Sequence, residues 1–199
     1  IGFSEDGQAV IRIFAAVPGL KNLPDKLEGV PVEVVVTGKF VARADPTIRF
    51  DRPVPIGVST GHPDITAGTI GCRVKDASGN LYALSNNHVY ANSNEAAIGD
   101  NVLQPGAYDG GSYPADVIGT LSNYEPILFD GSDNTIDAAI AACTDSDLGF
   151  ATPVGDGYGA PSATTTIAYV NMNVQKYGRT TGWTHGEVAE INLTVDVCY

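Results

Sequence analysis

A hairpin is written into the middle of this chain, and it narrows what the rest can fold into. Gly68-Thr69-Ile70-Gly71-Cys72-Arg73-Val74 is an apolar, β-branched run, Lys75-Asp76-Ala77-Ser78-Gly79-Asn80 is a polar turn, and Leu81-Tyr82-Ala83-Leu84 is a second run of strand length. Further short runs follow at 102–106, 115–122 and 126–129, divided by glycine- and aspartate-rich turns. Across this portion no stretch has the length and 3.6-residue period of an ordinary amphipathic helix. Short strands at this spacing predict an antiparallel barrel of Greek-key type, and 23 glycines and 12 prolines supply the turns. The fold class expected is mostly β.

The second run of the hairpin leads into Ser85-Asn86-Asn87-His88-Val89-Tyr90-Ala91, which sets a histidine at the end of a strand. Downstream, Asn134-Thr135-Ile136-Asp137-Ala138-Ala139-Ile140-Ala141 sets an aspartate at the mouth of another apolar run. Asp130 and Asp133 lie in a hydrophilic turn instead, so Asp137 is the carboxylate whose strand can carry it to His88. Imidazole titrates near neutrality and suits a general base, and a carboxylate on its other nitrogen fixes the tautomer. A lone histidine at a strand end more often caps the strand or fills the core, so the weight rests on the pair and its surroundings.

These residues resemble the first barrel of trypsin-like (chymotrypsin-fold) serine peptidases, bacterial ones in particular. A second stretch, Tyr177-Gly178-Arg179-Thr180-Thr181-Gly182-Trp183-Thr184-His185-Gly186-Glu187-Val188, is similar to a second-barrel strand and turn of streptogrisin-type peptidases. The resemblance runs from about Thr66 to Tyr199. It implies a double Greek-key β-barrel whose second barrel is incomplete here, with His88 as general base and Asp137 as its orienting carboxylate. The family presents its nucleophile in a Gly-Asp-Ser-Gly turn, and no such turn occurs in these 199 residues. The resemblance therefore puts the acyl-accepting serine beyond Tyr199 and implies a peptide or protein substrate, with a C-terminal companion fragment as one way to complete the second barrel. A peptide- or protein-binding module that keeps the fold without catalysis is the alternative.

Three segments are expected. Residues 1–55 form a small β-α-β appendage and linker, with strands at 9–15 and 30–38, a short helical turn over 20–27, and a proline-rich linker from Asp45 to Pro55. Residues 56–150 form the first barrel with the His/Asp pair. Residues 151–199 form a partial second barrel, with strands expected at 167–170, 174–177 and 187–197.

Ser85, Ser112, Ser132 and Ser162 lack the glycine-flanked turn that builds an oxyanion hole, and Cys198 reads as a strand residue rather than a nucleophile. His62, in Gly61-His62-Pro63-Asp64, reads as a surface histidine, and His185 as an exposed turn residue near the groove that binds substrate in related peptidases. Three cysteines, Cys72, Cys143 and Cys198, read as small core residues rather than a disulfide framework. Asp130-Gly131-Ser132-Asp133-Asn134 lacks the spacing of a calcium loop and reads as a solvated turn. With no HExxH and three scattered histidines, no metal or other cofactor is expected. A formal charge of −12 with eleven scattered Lys and Arg disfavours nucleic acid and anionic membrane surfaces, and no transmembrane span is encoded. Neither the cytoplasm nor secretion is singled out.

Overall fold

The computed structural model describes residues 2–3, 7–37 and 44–197. Two compact units emerge, Ile1–Arg43 and Ala44–Tyr199. In the smaller, β1 (Gly2–Phe3), β2 (Ala9–Ala15), β3 (Lys26–Leu27) and β4 (Val30–Val36) form one sheet in the order β1-β2-β4-β3. The two long β-branched runs pair in parallel, from Ile11 beside Val32 to Ala15 beside Val36. Arg12 and Glu33, neighbours in that register, meet at 3.1 Å.

The helical turn expected over 20–27 does not form, so the described residues of the unit make strands and no helix rather than β-α-β. Bends and the short β3 occupy the stretch, with Asn22 in the left-handed region at φ 63°. Eight residues interrupted by Pro24 cannot offset the cost of helix nucleation, and Leu20, Leu23 and Leu27 are exposed rather than docked. Gly38, the expected end of the second strand, lies outside the described residues.

The larger unit starts with residues 44–55, where the prolines suggested a linker. The segment is instead fastened to the body: Arg49 forks onto Asp116 at 2.6 Å through both Nε and Nη2, and Val54, 1% exposed, bridges to Leu148. Then follow β5 (Ser59–Thr60), β6 (Gly68–Thr69), β7 (Cys72–Lys75), β8 (Leu81–Ser85), the one-turn helix α1 (Asn87–Tyr90), β9 (Asn101–Leu103), β10 (Val117–Tyr124) and β11 (Ala139–Cys143). The predicted hairpin is β7-β8, in register from Cys72 beside Leu84 to Lys75 beside Leu81. Its turn is organised by Asp76, whose Oδ1 accepts the backbone N–H of Ser78 and Asn80.

Strand order β7-β8-β11-β10-β9 makes a five-stranded antiparallel sheet, and β5 pairs with β6. Since β6 runs through Ile70 and Gly71 straight into β7, and Gly61 after β5 bridges to Leu103 of β9, the pairing returns to its start. Through that bridge the strands curl into a barrel. Its inside holds Ile56, Val58, Ile70, Tyr90, Val102, Ile118, Leu121 and Leu148, all 0–1% exposed. Each such aliphatic side chain contributes about 1.5–3 kcal/mol by leaving water. The run 126–129, expected as a strand, is irregular.

Among the described residues beyond 150 the expected second barrel is represented by one hairpin, β12 (Asn173–Gly178) and β13 (Gly182–Glu187). Tyr177 anchors it: its ring lies so close to Gly57 that a Cβ there would meet it at 2.8 Å, and its hydroxyl donates to Asp156 at 2.7 Å. Arg179 then forks onto Asp109 at 2.7 and 2.5 Å, and its N–H donates to Thr69. That guanidinium holds the Asp109 carboxyl below the usual range. The runs 167–170 and 188–197 are not strands. Ile167, Leu193, Val195 and Val197 are exposed, and Asn171 and Asn192, at φ 68° and 57°, break the pleat beside them.

Candidate active site

β8 and β11 are antiparallel neighbours, with Ser85 opposite Ala139. The segments that follow β8 and precede β11 therefore meet at one end of the barrel, which is how two residues distant in sequence come together. Helix α1 begins directly after β8 and turns Val89 and Tyr90 into the core, both at most 2% exposed. Gly68 admits it, because a Cβ at that position would meet Val89 Cγ2 at 2.4 Å. His88 points the other way, its side chain 42% exposed.

His88 Nδ1 lies 2.5 Å from Asp137 Oδ2. The other oxygen, Oδ1, accepts the backbone N–H of Asn87 at 2.6 Å and of His88 at 3.3 Å, and the Asn86 amide donates to the Asp137 carbonyl at 3.1 Å. The Asp137 side chain is 17% exposed. A carboxylate facing Nδ1 assigns the proton to that nitrogen and leaves the lone pair on Nε2. The arrangement is chemically that of a base held in one tautomer by a fixed anion. Asp130, the rival carboxylate, turns back onto the Ser132 N–H at 3.0 Å.

His62 is not a surface residue. It is 5% exposed, its Nδ1 accepts the Asp64 N–H at 3.1 Å, and its Nε2 lies 3.3 Å from Asp100 Oδ2. Its own N–H donates to the Val89 carbonyl at 2.9 Å, which ties residues 61–65 to α1. The flanking Gly and Pro suggested a loop tip, but Gly61 is the residue that closes the barrel, and this carries its neighbour inside. His185 lies on β13 opposite Gln175 rather than in a turn, exposed, with its ring centroid 5.0 Å from that of Trp183.

Three of the four serines singled out in the sequence donate to neighbouring groups. Ser85 donates to the Thr69 carbonyl, Ser112 to Asp116 and Ser162 to the Thr164 carbonyl. Cys72 and Cys143 are free and half-buried on strands either side of β8; burial raises both thiols, Cys143 to about 11. Cys198 lies outside the described residues. No group of three or more metal-ligating side chains occurs among the described residues.

Two asparagines escaped the sequence reading. Asn87 is wholly buried, and its amide is bonded to Asn94. The available signal was Asn92-Ser93-Asn94, residue types that tolerate left-handed backbone, just after the histidine.

No protein-family model matches the sequence, and none of the curated proteins does. Among solved structures, the crystal structure of Nocardiopsis protease (NAPase) is similar at a TM-score of 0.46 and 20% identity over 72% of this chain. The matched part spans 64% of that protease's length.

Proposed function

We propose that this chain carries the base and the orienting carboxylate of a trypsin-like serine endopeptidase. The observation that carries the reading is the 2.5 Å approach of His88 Nδ1 to Asp137 Oδ2 beneath a ring that is 42% exposed. A serine hydroxyl attacking a peptide carbonyl passes its proton to His88 Nε2, and Asp137 stabilises the imidazolium that results. Nε2 then protonates the leaving amine as the C–N bond breaks, and a water molecule repeats the cycle on the acyl-enzyme. Proton transfer of this kind contributes about 10²- to 10⁴-fold in rate. The reading assigns the nucleophile and its oxyanion hole to polypeptide outside these 199 residues.

The test has two parts. An intact-mass measurement on protein purified from its source looks for polypeptide beyond Tyr199 or a second, co-purifying fragment. A serine-directed phosphonate then labels that material, and the reading expects His88→Ala to abolish labelling while residues 1–199 alone hydrolyse no peptide ester. Labelling that survives His88→Ala overturns it. The second reading, a non-catalytic peptide- or protein-binding module, is favoured by one observation, the missing Gly-Asp-Ser-Gly turn. It takes over if only a 20.7 kDa chain is found, folded and unreactive.

A further inference from the structure

We propose that Asn87 and Asn94 form a clasp that positions His88 against Asp137, an inference that rests on the reading of that pair as base and orienting carboxylate. Helix α1 is a single turn, and its N-cap Asn86 makes no side-chain capping bond. So short a helix does not hold itself in place. Its seat has to come from tertiary bonds, and Asn87 supplies them from both ends. Its backbone N–H is the 2.6 Å donor to Asp137 Oδ1. Its side chain, fully buried, donates through Nδ2 to Asn94 Oδ1 at 2.8 Å and to the Glu125 carbonyl at 2.6 Å, while Oδ1 accepts the Asn94 N–H at 3.1 Å.

Asn94 completes the clasp. Its Oδ1 also accepts the Ile127 N–H at 2.9 Å, and its Nδ2 donates to the Ile127 carbonyl at 2.8 Å. Reversing either amide would set donor against donor, so the partners fix both orientations. The two side chains thus lock the start of α1 to residues 125–127, on the segment that leads to Asp137. To bring Asn94 into place, three successive residues take left-handed backbone: Asn92 at φ 47°, Ser93 at 55° and Asn94 at 79°. Non-glycine residues visit that region singly as a rule, so the run is a strained conformation that its surroundings must hold. Being neutral, the amides fix the geometry without adding a charge that would compete for the His88 proton.

The test is the low-field proton resonance of His88 Nδ1–H in the 199-residue chain, assigned by its loss in His88→Ala. Asn94→Gly keeps the left-handed backbone without strain and removes only the amide. Asn94→Gly and Asn87→Ala are expected to leave the far-ultraviolet circular dichroism intact. In both, the resonance should be lost, or its proton should exchange with water about tenfold faster or more, as removal of a buried hydrogen bond implies. Ser93→Gly, which relieves the same turn without touching the clasp, should leave the resonance in place. A wild-type resonance and exchange rate in Asn94→Gly overturns the proposal, as does an equal disturbance by Ser93→Gly or a wild-type protein without the resonance. Should Asn87→Ala fail to fold, Asn94→Gly decides. Failure to find any peptidase activity sinks the reading of the site but leaves the resonance test of the clasp standing.

Discussion

Two histidines of the same barrel each meet an aspartate, and they differ in almost every other respect. His62 is buried with both ring nitrogens engaged, Nδ1 as acceptor from the Asp64 N–H and Nε2 facing Asp100. Its carboxylate is the more exposed partner, at 40% against 7% for the ring side chain. In the other pair the order reverses: the His88 side chain is 42% exposed and that of Asp137 is 17%. Protons reach a base through an accessible ring and are steered by a sheltered anion, so the second arrangement suits proton transfer and the first suits tethering. Proximity of His to Asp does not itself make a site; which partner is buried distinguishes them.

The largest effect expected from breaking this comparison is at Asp137. In polypeptide that includes the nucleophile, Asp137→Asn should lower kcat for peptide-ester hydrolysis by roughly 10⁴-fold, the scale of losing the correct tautomer. A change below tenfold would remove Asp137 from the mechanism.

His62→Ala tests the other side. It leaves the Asp64 N–H without its acceptor and opens a hole, and should cost about 2–3 kcal/mol in urea unfolding. The His88 Nδ1–H resonance should persist in that variant. Loss of the resonance with the fold intact would mean that the two histidines act as one unit.

Smaller again is Asp100→Asn, at about 1 kcal/mol by the same measurement, because Asp100 sits near solvent and exposed charge pairs are weak. The smallest effect is that of acid on wild-type protein. The Ala97 N–H, and after it His62, hold the Asp100 carboxyl below its ordinary 3.8. A depressed carboxyl contributes stability that is present above its unfolded value and lost as pH falls through the folded one. Unfolding free energy should therefore decline below about pH 4, and less steeply in Asp100→Asn. Equal slopes in the two proteins would remove Asp100 from the acid response.

Much of the barrel was legible because its signals are local. The β7-β8 hairpin needs only two apolar runs and a turn that Asp76 can organise, and Asp137 stood out among its neighbours by preceding an apolar strand. The same local rule failed where, among the described residues, no strand pairs with the run. Residues 191–197 alternate apolar and polar as a half-buried strand does, yet Leu193, Val195 and Val197 are exposed. A two-residue period states which face would be buried and cannot provide the neighbour that buries it.

Local sequence specified a mostly β body, the hairpin leading to His88, and a carboxylate at 137 just ahead of a strand. Tertiary structure alone decided the rest. Barrel closure through Gly61 and Leu103 drew His62 inside, the antiparallel register of β8 and β11 set His88 against Asp137, and the return of Asn94 through a left-handed turn gave the buried Asn87 amide its partner. Each of these joins residues distant in sequence or reverses the chain sharply. Their free energy exists only once the barrel has brought the partners together, so no local pattern of residue types announces them.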